Sequence, residues 1–328
     1  MSIVTPVYNG ARFLAETMEC VQAQTYPNVQ HLVLDNASVD STPEIIARFT
    51  SRRVPVRAAR NNATLPIIES WNAAIRMIGP NTAYFRILPA DDLIVPHGIE
   101  KMVDAGEQNP KVDIIGCQEW RGDAVLGTEL PRDHTVFDGR CIARGSLLNA
   151  IHGFPHFHCL FRMPKEGLPQ SFYDLRYHDE PLLALDMDAA IRALSKGPYA
   201  YIHEPLVTTR LHSDSITSTL FAPERMKMWS ELQLIDKWRS VVFDSHADYM
   251  KCRQRHLRFY YRYLLLWLIR SQRELYQKHL DLLTKASAQP TPRDYVAATL
   301  QWPIARTART LKRVAIRFGM PAYRFEYT

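Results

Sequence analysis

Acidic residues at a few places in the 328-residue chain have the type and spacing to do chemistry. Asp35 ends the apolar run HLVL, and Asp91 with Asp92 follows the run AYFRIL through Pro89 and Ala90. Adjacent carboxylates on a tight turn can hold a hard divalent cation such as Mg²⁺ or Mn²⁺; a solvated turn is the plain alternative. Asp35 at a second strand end favours the first reading, with one carboxylate left for a base or ribose and the pair for metal and diphosphate. Asp186 and Asp188 open the segment DMDAAIRAL, where Asp186 suits a helix start and Asp188 has Arg192 four positions on as a helical ion-pair partner. Arg210-x-His212 puts a guanidinium and an imidazole on one side of an extended segment, within reach of a phosphate or a metal.

Two further clusters read more plainly. His156-x-His158, with His152, His178, Asp179 and Glu180 nearby, has the ligand types of a zinc site but no second spaced pair, so a polar cleft wall is the simpler expectation. Arg253, Arg255, Arg258 and Arg262 interleave with Phe259, Tyr260, Tyr261 and Tyr263, and a solvated helix face with aromatic packing accounts for them better than a nucleic-acid surface.

The elements that must position these groups follow from the apolar periodicity. Strands are predicted over 3–7, 31–34, 54–58 and 83–88, alternating with helices over 11–23, 43–50 and 66–77. Thr42-Pro43-Glu44 supplies a cap, a first-turn proline and an acidic residue at the positive helix end. Four strands alternating with three helices imply an open, mainly parallel sheet flanked by helices. Ligands bind such sheets beyond the carboxyl ends of the strands, so Asp35, Asp91 and Asp92 should converge there. Residues 114–210 mix short strands with a helix over 186–194 and suit the acceptor half of a cleft. Residues 222–283 are helical by period, and Gln289-Pro290-Thr291-Pro292 reads as a linker.

Composition removes several classes. With 46% hydrophobic and 23% charged residues the chain can build a core. The net charge is +6, but from Pro290 to Thr328 seven basic residues stand against Asp294 and Glu326, so the body is almost neutral and a nucleic-acid partner is not expected. Five scattered cysteines without a C-x-x-C pair argue against a disulfide framework and for a reducing compartment. No leader or membrane-spanning run is expected from the sequence. Neither G-x-G-x-x-G nor G-x-x-x-x-G-K-[ST] occurs, which argues against a Rossmann dehydrogenase and a P-loop NTPase.

Taken in order, VTPVYNG, HLVLDNASVDST, Ser70-Trp71-Asn72, LPADDL, LDMDAAIRAL and AYIHEPLVTTRLHSDSIT resemble motifs of the inverting family 2 glycosyltransferases. The resemblance spans residues 1 to about 218. It implies a GT-A type α/β fold, a mainly parallel open sheet with a C-terminal helical extension. It further implies transfer of a sugar from a UDP-, GDP- or dTDP-sugar to a glycan or glycolipid acceptor, in polysaccharide, lipopolysaccharide or glycolipid assembly. By that resemblance Thr5, Pro6, Tyr8, Asp35, Asn72, Ala90, Asp91 and Arg210 bind the nucleotide-sugar. Asp91, Asp92 and His212 hold Mn²⁺ or Mg²⁺, and Asp186 is the catalytic base. Asn36, Pro89 and Leu185 stand where many members carry acidic residues, and they make a non-catalytic nucleotide-sugar or glycan binder the alternative.

The expected organisation is a 1–218 transferase domain (1–112 nucleotide-sugar half, 113–218 acceptor half), a 219–288 helical extension and a 289–328 tail. In that tail Ile304, Ala308, Leu311, Ala315 and Phe318 oppose Arg306, Arg309, Arg313 and Arg317. A basic amphipathic helix of this kind suits an anionic membrane surface, so the expected location is cytoplasmic, peripheral at the inner face of the membrane.

Overall fold

A computed structural model describes residues 1–148, 158–174, 184–215 and 225–300, with a two-residue strand pair between the second and third stretches. The N-terminal part follows the predicted rhythm: β1 (Ser2–Val7), α1 (Leu14–Gln22), β2 (Gln30–Asp35), α2 (Thr42–Ala47), β3 (Val56–Arg60), α3 (Ile67–Ile75) and β4 (Tyr84–Ile87). All six residues of β1 are buried, the mark of a strand covered on both faces of a parallel sheet. At the sheet edge, β3 is mostly exposed and carries Arg57 and Arg60. Charge there discourages pairing with another chain.

The chain continues through β5 (Leu93–Ile94), α4 (Gly98–Gln108), β6 (Ile114–Arg121), β7 (Ala124–Leu126), β8 (Val136–Phe137), α5 (Gly139–Leu147) and β9 (Leu160–Arg162). β10 (Arg176–Tyr177), β11 (Glu180–Pro181), α6 (Leu185–Leu194) and β12 (Tyr199–Thr209) follow. The main sheet runs β3, β2, β1, β4, β9, β6, β12, β5. β9 is antiparallel to both β4 and β6, and β12 is parallel to β6. The strands β1, β2, β3, β4, β6 and β12 therefore point the same way and end on one edge. β2 and β4 flank β1 on opposite sides, so the β1/β4 gap is a topological switch point, the place where such sheets take ligands. α6 feeds β12 from the opposite edge, and its ten residues span about 15 Å. Its first turn therefore lies toward the ligand edge.

Each face of the sheet has its own core. On one, the Phe85, Phe161 and Phe172 rings meet at 5.3 to 5.5 Å under α5 and α6. On the other, Met102 and Val103 of α4 pack on Ile115 and Val207. The C-terminal region forms α7 (Lys227–Lys237), α8 (Arg239–Val242), α9 (His246–Ile269), α10 (Arg273–Lys285) and α11 (Pro292–Leu300). Leu234 and Ile235 of α7 join the core of α5 and α6, whereas Leu232, Tyr260, Leu264, Leu283 and Ala298 form a separate cluster. Arg255 and Arg258 are exposed, as expected of a solvated helix face, whereas Arg253 is drawn inward and paired with Asp236 at 3.0 Å.

The boundary expected at residue 289 is not where the packed chain ends. Thr291 and Asp294 form a reciprocal cap, with Thr291 N–H donating to Asp294 Oδ2 at 2.8 Å and Asp294 N–H to Thr291 Oγ1 at 3.4 Å. Pro292 takes the first helical position, Ala298 is buried and the Tyr295 ring lies 6.4 Å from Tyr261. Residues 292–300 thus belong to the helical extension. The basic amphipathic segment from Ile304 to Phe318 lies outside the described residues. Among the described residues no helix is long and apolar enough to cross a membrane.

Candidate active site

The loops that leave β1 and β2 are cross-braced over the ligand edge. Asn9 N–H donates to Ser38 Oγ, Val39 N–H to Asn9 Oδ1, Gly10 N–H to Thr42 Oγ1 and Ala11 N–H to Asp40 Oδ2, at 2.9 to 3.0 Å. Hydrogen bonds from Thr42 and the Ala11 amide outweigh desolvation and hold the Asp40 carboxyl below its ordinary pKa. Asp35 is buried, with Oδ2 at 2.7 Å from Arg60 Nη1 and Oδ1 accepting from Ser38 N–H at 2.9 Å. Asn36 is also turned inward, bonded to Leu65 and Asn61.

Across the β1/β4 gap, His212 Nε2 meets Asp91 Oδ2 at 2.9 Å, and both side chains are partly open to solvent. The Phe13 ring lies 4.7 Å from the His212 ring, tilted by 47°, and carries the guanidinium of Arg210 at 5.0 Å and that of Arg12 at 4.8 Å. Arg210 also pairs with Glu16 at 3.0 Å. Asp92 differs from its neighbour: it is 5% exposed and its Oδ1 accepts from Arg210 N–H at 3.1 Å. Burial pushes its carboxyl up to about 6, against the lowering effect of His158. The donor set of Asp91 and His212 fits a hard divalent cation that keeps water and takes substrate phosphate oxygens. No group of three or more His, Cys, Asp or Glu side chains is gathered for a metal among the described residues.

Asp186 and Asp188 share the first turn of α6 but not their surroundings. Asp186 is partly exposed. Its charge is a secondary cause, after burial, of the raised pKa of the Tyr173 phenol. Asp188 is 1% exposed, 3.0 Å from Lys237 Nζ, and accepts from Trp238 Nε1 at 2.8 Å. The ion pair expected between Asp188 and Arg192 is replaced, because α7 reaches Asp188 while Arg192 donates to Phe172 O.

The family 2 glycosyl transferase model matches residues 2–165. The chain belongs to that family. An uncharacterized glycosyltransferase of Rickettsia typhi is 27% identical over 237 residues, 70% of each chain. The Streptococcus pneumoniae glycosyltransferase GlyG is 26% identical over 116 residues, 35% of this chain and 38% of GlyG. Residues 1–349 of S. aureus TarS, solved with UDP-GlcNAc, superpose with a TM-score of 0.64 at 12% identity, covering 88% of this chain and 81% of that one. The fold is of the GT-A type, and the protein is a nucleotide-sugar glycosyltransferase of family 2.

Within this family 2 glycosyltransferase several expected site residues have other occupations. Thr5 and Pro6 are buried inside β1, and Thr5 Oγ1 bonds His31 Nε2 at 2.9 Å. Asn72 is buried and spends its amide on the main chain of Tyr173, at 3.0 and 2.9 Å, so it braces that segment from within. Asp92 is directed into the sheet, unlike the metal-facing partner expected of it. Tyr8, Ala90, Asp91, Arg210 and His212 do lie on loops at the ligand edge. Sequence reasoning missed Arg86 and Glu119, both buried beside His158. Their signal was an ionisable residue inside each apolar strand, which must find a partner when buried. His152, His156, His178 and Asp179 lie outside the described residues.

Proposed function

We propose that this enzyme transfers a sugar from a nucleotide diphospho-sugar to a hydroxyl acceptor with inversion at the anomeric carbon. The observation that carries the reading is the 2.9 Å pair of Asp91 and His212 at the β1/β4 switch point, on the edge toward which the first turn of α6 is directed. Asp91 and His212 would hold Mn²⁺ or Mg²⁺, with Asp92 behind them shaping the turn. A cation bound there supplies positive charge to the departing diphosphate. Arg210, stacked on Phe13, adds a fixed cation on the same side. Asp35 acts on the nucleoside by fixing Ser38 and Arg60, and Tyr8 and Ala90 line the approach.

A sugar hydroxyl is a weak nucleophile at neutral pH, so a carboxylate must take its proton as it attacks. Asp186 has that role. The new bond joins the acceptor oxygen to the anomeric carbon, the bond to the diphosphate oxygen breaks with its electron pair, and the proton moves to Asp186. A glycan or glycolipid of polysaccharide or lipopolysaccharide assembly is the acceptor class. The basic segment beyond Leu300 brings the enzyme to an anionic membrane surface on the cytoplasmic side.

Calorimetry with UDP-, GDP- and dTDP-sugars, with and without Mn²⁺, tests the reading. UDP-sugars come first because the structurally similar TarS binds UDP-GlcNAc. Asp91→Asn should abolish the metal-dependent gain in donor affinity, and Asp35→Ala should weaken the nucleotide even without metal. Unchanged affinity in both variants would overturn the site assignment.

A further inference from the structure

Behind Asp91 and Asp92 a chain of buried polar groups crosses the sheet. The fully buried Arg86 of β4 donates to His158 O at 2.7 Å and lies 3.4 Å from His158 Nδ1. A guanidinium only donates, so Nδ1 accepts and the imidazole proton sits on Nε2. That nitrogen is 2.6 Å from Thr209 Oγ1, 2.9 Å from Glu119 Oε2 and 3.9 Å from Asp92 Oδ2. Glu119 is braced by Arg121 at 2.8 Å and accepts from Thr209 Oγ1 at 3.2 Å. Asp92 in turn holds the Arg210 N–H.

The turn after β4 carries Asp91, and the chain leaving β12 carries His212. These strands are not neighbours, since β9 and β6 lie between them. The backbone register of the two groups is set by β5, which follows Asp92 directly and pairs antiparallel with Val207 and Thr208 of β12; on that frame an imidazole committed at both nitrogens ties side chains of β4, β6 and β12 together behind Asp92. We infer that His158 is a positioning residue: through Thr209, Glu119 and Asp92 it sets Asp91 against His212 and thereby the affinity of that pair for a divalent cation. The inference rests on the reading of Asp91 and His212 as the cation-holding pair.

The test is manganese binding by electron paramagnetic resonance, with UDP, GDP or dTDP present, on the full chain and its His158→Ala, His158→Gln and Asp91→Asn variants. Glutamine can accept from Arg86 with its amide oxygen and donate to Glu119 with its amide nitrogen. His158→Ala, shown folded by circular dichroism, should bind manganese about 10- to 100-fold more weakly, the range for partners that orient metal ligands. His158→Gln should recover most of that loss, which a histidine that only stabilises the fold would not require. Should His158→Ala fail to fold, Glu119→Gln keeps the volume, removes the charge and should weaken manganese binding in the same direction. Wild-type affinity in a folded His158→Ala or Glu119→Gln chain overturns the role, as does a His158→Gln chain as weak as His158→Ala. Asp91→Asn should lose manganese outright; normal binding there removes the cation pair itself, and the role of His158 with it.

Discussion

Asp186 and Asp188 are about 200° apart on a helix of 3.6 residues per turn, and their surroundings differ accordingly. Asp188 is enclosed by Lys237 and Trp238, so it fastens α6 to the helical extension. Asp186→Asn should leave nucleotide affinity and unfolding midpoint unchanged while turnover falls by ~10² to 10⁴, the range for a lost general base; near-normal turnover would remove Asp186 from the reaction. Asp188→Asn should instead lower stability in urea by about 1.5–3 kcal/mol, the scale of a hydrogen bond to a charged group. A folded, donor-binding but inactive Asp188→Asn enzyme would transfer the role of base to Asp188.

At the scale of elements, the site depends on how tightly the first loop turns after β1. Asn9 and Ala37 both adopt left-handed backbone, at φ 49° and 61°, and the hydrogen bonds between the two loops hold them there. Gly10 leaves no room for a side chain: a Cβ would stand 2.4 Å from Val7 Cγ2. Gly10→Ala should therefore shift the end of β1 and cost about 1–3 kcal/mol, as overpacking does. Donor affinity should weaken in parallel, so a calorimetric titration that matches wild type would show that this loop does not shape the nucleotide site.

For the whole molecule, acid lability follows from what is buried, and the proposed membrane attachment is tested through the sequence beyond α11. His31 is fully buried against Thr5, and desolvation pushes its pKa down to about 3. The unfolded chain takes up that proton near the ordinary value, so the stability His31 confers is present above pH ~6.5 and is lost as pH falls toward its folded pKa. Melting temperature should drop between pH 6.5 and 4.5, and His31→Gln should flatten that drop; an identical pH profile for the variant would contradict it. A chain ending at Leu300 keeps the cap and packing of α11 and should stay folded while losing sedimentation with anionic liposomes at moderate salt. Equal sedimentation of both chains would exclude the basic segment as the attachment.

Sequence periodicity alone determined the alternating strands and helices of the first 92 residues, because parallel strands and the helices over them bury continuous or 3.6-spaced apolar runs. It also located Asp35 at the end of β2 and Asp91, Arg210 and His212 in the segments that follow strands, since polar residues close such apolar runs. Only the tertiary structure decided which carboxylates are turned inward. Asp92 differs from Asp91 by one position, yet the β12 end captures its oxygen through the Arg210 amide. Asp188 took Lys237 over Arg192 because α7, about fifty residues away in sequence, packs on α6. The assembly of Arg86, Glu119, His158 and Thr209 was not legible beforehand for the same reason: burial of a charge is settled by partners that adjacent strands bring together, and sequence spacing carries no record of them.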